Sequence, residues 1–169
     1  MSKKLTAAVV AGAALFTGIA ATPANADTVN VADARVSAES QTPVPGAMTV
    51  GRVVIGNNAS AQGVLPAGTT FEVKFERLQG EKRTGVATLT TWYSGHVKIN
   101  RINDDTFKVV LTRDFAPGQQ VPLDWSKAHW FDYSTRDKIT VALDTLPQGT
   151  VDRNEADNTA SYDNRGRGF

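Results

Sequence analysis

The chain has 169 residues, with 18 Lys and Arg against 17 Asp and Glu, two His and no Cys. A formal charge of +1 spread along the chain leaves no electrostatic footprint for nucleic acid or an anionic membrane. The absence of Cys excludes a disulfide framework, a thiol nucleophile and thiolate metal sites.

The first residues read as an address. Lys3 and Lys4 precede a small-residue apolar run from Leu5 to Ala21, and a polar stretch closes in Ala24-Asn25-Ala26. That order predicts a secretory signal peptide over residues 1–26, cleaved before Asp27. A spanning helix needs about 20 strongly apolar residues, and this run is diluted by Ala, Gly and Thr, so no membrane span is expected after cleavage. Without Cys the new N-terminus cannot carry a lipid-modified cysteine. Cleavage leaves 143 residues, 16 of them basic and 17 acidic, which is enough for one hydrophobic core. The expectation is a secreted, extracellular protein with one domain over residues 27–163 and a flexible tail over 164–169.

From there on the apolar residues recur at every second position, the period of a half-buried strand. Val29 to Glu39 reads as an opening strand and Met48 to Gly56 as the next. In Phe71-Glu72-Val73-Lys74-Phe75-Glu76 the aromatic and aliphatic side chains face one way and the charges the other. Val86 to Trp92 and Val97 to Ile102 are weaker strands. Phe107, Val109 and Leu111 share a face, as do Val121, Leu123 and Trp125, and then Ile139, Val141 and Leu143. Thr159 to Tyr162 reads as the last strand, and no amphipathic helix follows residue 26. Between the runs, Leu65-Pro66-Ala67-Gly68 fits a type I turn and Ala116-Pro117-Gly118-Gln119 a type II turn. Pro122 cannot donate to a ladder, which places it on an edge strand or at a strand start. Some 7–9 short strands with such turns predict an all-β, immunoglobulin-like antiparallel sandwich.

Pro147 to Asn158 must join the strand ending near Leu146 to the last strand, and its second half is crowded with oxygen-bearing side chains. Three readings account for them. Asp and Asn bond backbone groups two residues on, so the loop can order itself. Calcium takes about 6 to 8 oxygens, and Asp152, Asn154, Glu155, Asp157 and Asn158, with Asp144, are the candidates. Ala156 breaks the helix-loop-helix calcium pattern, which disfavours that site type. Catalysis ranks third, so no cofactor is expected and calcium alone stays open.

Enzyme signatures are missing: there is no Gly-x-Ser-x-Gly elbow and no His-Glu-x-x-His, and His96 and His129 lie in different segments. Glu72 and Glu76 share a strand face but sit about 13 Å apart at roughly 3.3 Å per residue, too far for a carboxylate pair in sugar hydrolysis. Trp125 keeps register with Val121 and Leu123 and belongs to the core. Trp130, Phe131 and Tyr133 follow it after a loop, and Trp92 and Tyr93 lie elsewhere; these five are the candidates for ligand contact through a flat aromatic face, against a core or staple role, which is favoured because large aromatics mostly anchor small β-domains.

The order Ala116-Pro117-Gly118-Gln119, the alternating strand to Trp125, Ile139-Thr140-Val141-Ala142-Leu143-Asp144 and Asn154-Glu155-Ala156-Asp157-Asn158-Thr159-Ala160-Ser161 resembles the bacterial cell-adhesion-related domain often called CARDB. The resemblance covers residues 47 to 163 and is carried by 116 to 161. It implies an immunoglobulin-like domain of exported and surface proteins with a closing hairpin, matched by Asn154, Glu155 and Asn158; Asp157 stands where the family more often has Asn. The segment Glu81 to Asp105 departs from the short family pattern. Together these readings predict a non-catalytic binding or adhesion-type domain whose partner is an extracellular protein or polysaccharide. The alternatives are a carbohydrate-binding module of the same architecture and a hydrolase with a concealed site.

Overall fold

The structure is a computed structural model that describes residues 29–40, 48–79, 85–128 and 136–165. Eleven strands make up 75 of these 118 residues, and the helical element among them is a single 3-10 turn, Glu155–Asp157. The opening run is two strands, β1 (Asn30–Ala32) and β2 (Ala34–Ser40), interrupted at Asp33. They are followed by β3 (Met48–Asn57), β4 (Thr70–Gln79), β5 (Thr88–Thr90), β6 (Val97–Asn103) and β7 (Thr106–Leu111). The chain continues through β8 (Gln120–Ala128), β9 (Arg136–Thr145), β10 (Thr150–Asp152) and β11 (Thr159–Arg165). Eleven exceeds the expected 7–9 because the first strand divides and β10 forms inside the closing loop. The expected Val86–Trp92 strand shrinks to β5.

Two antiparallel sheets carry the core, in the orders β11-β9-β4-β7-β6 and β2-β3-β8-β5, and β1 pairs with β10 in parallel. Alternation decides which residues each sheet turns inward. Phe71, Val73 and Phe75 of β4, Phe107, Val109 and Leu111 of β7, and Ile139 and Val141 of β9 are buried from one side. Val53 and Ile55 of β3 with Val121, Leu123 and Trp125 of β8 are buried from the other. The two stripes meet where the rings of Phe75 and Trp125 lie 5.7 Å apart, edge to face, a geometry favoured by the aromatic quadrupole. Glu72, Lys74 and Glu76 stay on the solvated face.

Two local expectations change. Pro122 is not on an edge strand, since β8 lies between β3 and β5. The ladder with β5 ends at Thr90–Asp124, however, and the Pro122 carbonyl on that side accepts the Thr91 hydroxyl at 3.0 Å. N and C=O of one strand residue point to the same edge, so the missing N–H falls where no strand remains to receive it. The turn near Pro66 is shifted by one residue: Thr69 N–H donates to the Pro66 carbonyl and Gly68 is third, at φ 87°. Gly118, at φ 83°, occupies the type II position expected of it.

Gly51 is fixed by packing. A Cβ there would run into the Glu39 carbonyl oxygen on β2 and the six-membered ring of Trp125, whereas one on Gly95 would meet nothing. Gly51→Ala should therefore cost about 1–3 kcal/mol as an overpacked core position. Gly95→Ala should stay within about 0.5 kcal/mol, and denaturant titration of the two variants separates them.

Candidate functional site

The closing loop is built around Asp152, the last residue of β10. Its Oδ1 accepts the Ala34 amide at 2.7 Å, at the start of β2. Its Oδ2 accepts the Asn154 amide at 3.1 Å and the Asn158 side-chain amide at 2.9 Å. Asn154 caps the 3-10 turn by accepting the Ala156 amide at 3.3 Å. Asp157 reaches out of the loop, with Oδ2 accepting the Asn58 side-chain amide at 3.4 Å. Glu155 is exposed. Four of the eight side-chain oxygens of Asp152, Asn154, Glu155, Asp157 and Asn158 thus accept local or cross-loop hydrogen bonds. Asp157 Oδ1, Asn158 Oδ1 and, outside the loop, Asp33 Oδ1 are buried and accept none. Among the described residues no group of three or more His, Asp or Glu side chains converges as a metal site would require.

Asp144 is also committed. Its Oδ2 accepts the Lys108 ammonium at 2.9 Å and the Thr70 hydroxyl at 2.9 Å. Those two hydrogen bonds, Lys108's first, hold its carboxyl below the usual carboxylate range. Between Asp144 and the loop lies an open depression of about 480 Å³, floored by Leu143, Leu146 and Val151 and rimmed by Asp152, Glu155 and Asn158.

The aromatic candidates divide. Trp130, Phe131 and Tyr133 lie outside the described residues. Trp92 is 91 % exposed and Tyr93 45 % exposed, on the loop between β5 and β6. That loop is anchored. The Tyr93 amide donates to the Thr91 hydroxyl at 3.1 Å, and the His96 amide donates to the Tyr93 carbonyl at 2.8 Å. The Tyr93 ring meets His96 edge-on at 5.6 Å, and His96 meets the fully buried Phe115 at 6.1 Å. His96 is therefore a link between the loop and the core.

The loop that carries Trp92 is tied to β8 through Thr91 and Pro122, and its Tyr93 lies near the outer face of the β2-β3-β8-β5 sheet, where Arg52 Nε donates to Asp124 Oδ1 at 2.8 Å. The hydrogen bond that Arg52 donates to Asp124, and then the Asp124 charge, raise the Arg52 guanidinium above its already high value, with a smaller help from Glu39. Thr90, and Thr88 bonded to Ser126 at 2.6 Å, continue the polar face.

Sequence reasoning passed over a second polar constellation. Lys127 follows Val121, Leu123 and Trp125 on the inward stripe of β8 and is 3 % exposed. Asp137 precedes Ile139 and Val141 on the inward stripe of β9 and is 2 % exposed. Arg77 follows Phe75, and Asp105 precedes Phe107, by the same two-residue step. Arg77 Nε donates to Asp137 Oδ1 at 2.6 Å, while the Lys127 ammonium lies 2.9 Å from Asp105 Oδ1 and 3.7 Å from Asp137 Oδ1. The signal was parity: each charge sits where its strand's next apolar residue belongs.

No family model matches the sequence, and no curated protein matches it. Several solved structures are similar to it at low identity. A cohesin module of a family 33 glycoside hydrolase from Clostridium perfringens is 10 % identical at a TM-score of 0.49, over 79 % of this chain and 96 % of that one. A biomass-sensing module from Clostridium thermocellum, described as resembling a family 3 carbohydrate-binding module, is 14 % identical at 0.39, over 66 % and 92 %. An Actinomyces fimbrial adhesin is 13 % identical at 0.41, over 78 % of this chain and 56 % of that one. These likenesses transfer no ligand.

The bonding of the closing loop ranks its substitutions. Asp152→Ala and Asn158→Ala should each destabilise the fold by about 1–3 kcal/mol, because the first strands the Ala34 and Asn154 amides and the second removes a part-buried, charge-assisted hydrogen bond across the loop. The exposed Glu155→Ala should change stability by no more than about 0.5 kcal/mol. Denaturant unfolding with calcium and with chelator checks both points; the same order and the same values are expected in each. A calcium site would instead raise the melting temperature by mass action on the folded state.

Proposed function

We propose that the protein is an exported, non-catalytic binding domain that meets an extracellular protein or polysaccharide through the Trp92–Tyr93 loop and the polar sheet face beside it. One observation carries the reading: an indole 91 % exposed on a loop that is held by hydrogen bonds and by the Tyr93–His96–Phe115 ring contacts. A large apolar side chain left in water on an ordered support is pre-organised, so binding forfeits little conformational entropy. Tryptophan supplies such anchors because its flat face is apolar and its N–H can still donate.

The non-catalytic reading rests on the sequence, which has neither a thiol nor a hydrolase elbow, and on His96, whose ring is engaged by two aromatic neighbours. The closing loop is read as a self-bonded cap and not as a calcium site, since both carboxylate oxygens of Asp152 are already occupied. The resemblance of residues 116 to 161 to the cell-adhesion-related domain points the same way. Among the described residues no helix is long and apolar enough to cross a membrane.

The polysaccharide form of the reading is favoured by the hydroxyls of Thr88, Thr90 and Ser126 next to the Arg52–Asp124 pair, a surface that hydrogen-bonds sugars while Trp92 stacks on a ring. The protein form needs Trp92 to enter an apolar pocket. Trp92→Ala separates both from a purely structural role. Its melting temperature should match the parent, because an exposed side chain contributes about 0.5 kcal/mol or less to folding. Retention on cell-wall polysaccharide, or capture of an envelope protein, should be lost. A variant that binds both as the parent does would reject this surface.

Export has its own test. Protein recovered from the culture medium should begin at Asp27, as N-terminal sequencing would show, and recovery of the full-length chain from the cytosol would overturn the assignment.

A further inference from the structure

Four strands end their inward stripes in charge at one end of the sandwich, and the stripes belong to both sheets. Lys127 stands on β8 of the four-stranded sheet, and Asp137 and Arg77 stand on β9 and β4 of the five-stranded sheet. Asp105 enters from the turn between β6 and β7. The Lys127 and Asp137 side chains are 4 % and 2 % exposed, while that of Asp105 is 50 % exposed. A primary amine, a buried carboxyl carbon, a second carboxylate within hydrogen-bond reach and a guanidinium fork therefore converge across the core.

From this geometry we propose that Lys127 and Asp137 become joined by a side-chain amide, a covalent tie between the two sheets. The atoms of a lysine ammonium and an aspartate carboxylate equal those of an amide plus one water, so no oxidant, reductant or activating group is needed. Asp105, with Oδ1 at 2.9 Å, takes one proton from the ammonium. The freed amine nitrogen attacks Cγ of Asp137 and a C–N bond forms. Negative charge then grows on the Asp137 oxygens, where the Arg77 guanidinium already donates to Oδ1 at 2.6 Å and to Oδ2 at 3.4 Å. A second proton leaves the nitrogen, and it and the proton held by Asp105 are delivered to one Asp137 oxygen. The C–O bond breaks and water departs past the exposed Asp105 side. The amide remains with Asp105 again a carboxylate, and the net charge of the group is unchanged.

Two physical terms favour the amide over the ion pair. The Lys127 nitrogen lies 3.7 Å from Asp137 Oδ1, the oxygen bonded to the carbon it would attack, so the fold already holds the two groups side by side. Effective molarities of well-oriented groups reach about 10⁵–10⁸ M, which outweighs the hydrolytic pull of bulk water. The amide also replaces two buried charges by a neutral group, removing a desolvation cost that an ion pair offsets only in part. Asp105 is assigned as proton acceptor and not as acyl donor because its exposure would leave an amide there open to water.

The test is the intact mass of the full chain as recovered, compared with the sequence mass of that same chain. The expected result is a mass lower by one water, with peptide mapping placing the link between Lys127 and Asp137. Lys127→Arg keeps the charge but supplies no amine, and should return to the sequence mass. Asp105→Asn should slow closure, so that the unlinked mass accumulates after expression and converts with time, and Asp105→Glu should restore the parent's rate. A parent at its full sequence mass overturns the proposal, as does a water loss that persists in Lys127→Arg. A link mapped to Asp105 overturns the choice of Asp137. If Lys127→Arg fails to fold, the parent's mass and peptide map still decide.

Discussion

The contact on which this molecule depends is Phe75 against Trp125, because each ring comes from a different sheet and each occupies a fixed place in a two-residue alternation. A one-residue slip of β4 or β8 would turn an entire apolar stripe to water and bring charges inward. Phe107 extends the contact from β7, with its ring 6.0 Å from Phe75, and the Arg101 guanidinium lies 4.7 Å from the centre of the Phe107 ring from outside. Gly51 belongs to the same constraint, since β3 must leave room for the Trp125 ring beside it. Register, packing and the position of every surface residue follow from these few rings.

The end of the sandwich near Trp92 is organised by one buried amide. Asn57 is fully buried; its Oδ1 accepts the Asp33 amide, and its Nδ2 donates to the carbonyls of Gly63 and Phe115. Its main-chain N–H and C=O are also engaged, by Gln119 and Gly118. One side chain thus fixes the break between β1 and β2, the loop after β3, and the segment that carries Phe115. From Phe115 the connection runs by ring contact to His96 and Tyr93 and so to Trp92. A buried unsatisfied amide or carbonyl costs about 1–3 kcal/mol, so the network is held as a unit and transmits rigidity to the loop.

Period-two patterning made the long strands legible, because β4, β7, β8 and β9 alternate without interruption. It could not show β10 or the division at Asp33, since both depend on pairing between chain segments more than a hundred residues apart. The edge-strand alternative for Pro122 failed for a related reason: the sequence shows a residue that cannot donate, but not that β5 stops before reaching it. In the closing loop the residue types showed that Asx bonding would occur, and the partners, Ala34 and Asn58, came only from the fold. Trp92 could be named from sequence as a contact candidate, yet its exposure could not, because Trp125 has the same chemistry and is buried. The charged layer was legible in principle. Reading each stripe two residues further would have placed Lys127, Asp137 and Arg77 inside.

The two ends of the core are sealed differently. At the Trp92 end the Asn57 side-chain amide and the Asp152 carboxylate satisfy main-chain groups of the loops. At the other end Lys127, Asp137, Arg77 and Asp105 interrupt the apolar stripes, where hydrophobic residues of similar volume would be as stable or more so. Placing charges there gains nothing in burial. It does bring an amine and a carboxyl of opposite sheets within reach of each other, in a chain that has no cysteine with which to tie sheets together. A domain that is pulled at one end by a partner is separated first where its sheets part. A covalent bond at the far end of the core closes that route by connectivity, with no demand on the packing of Phe75 and Trp125.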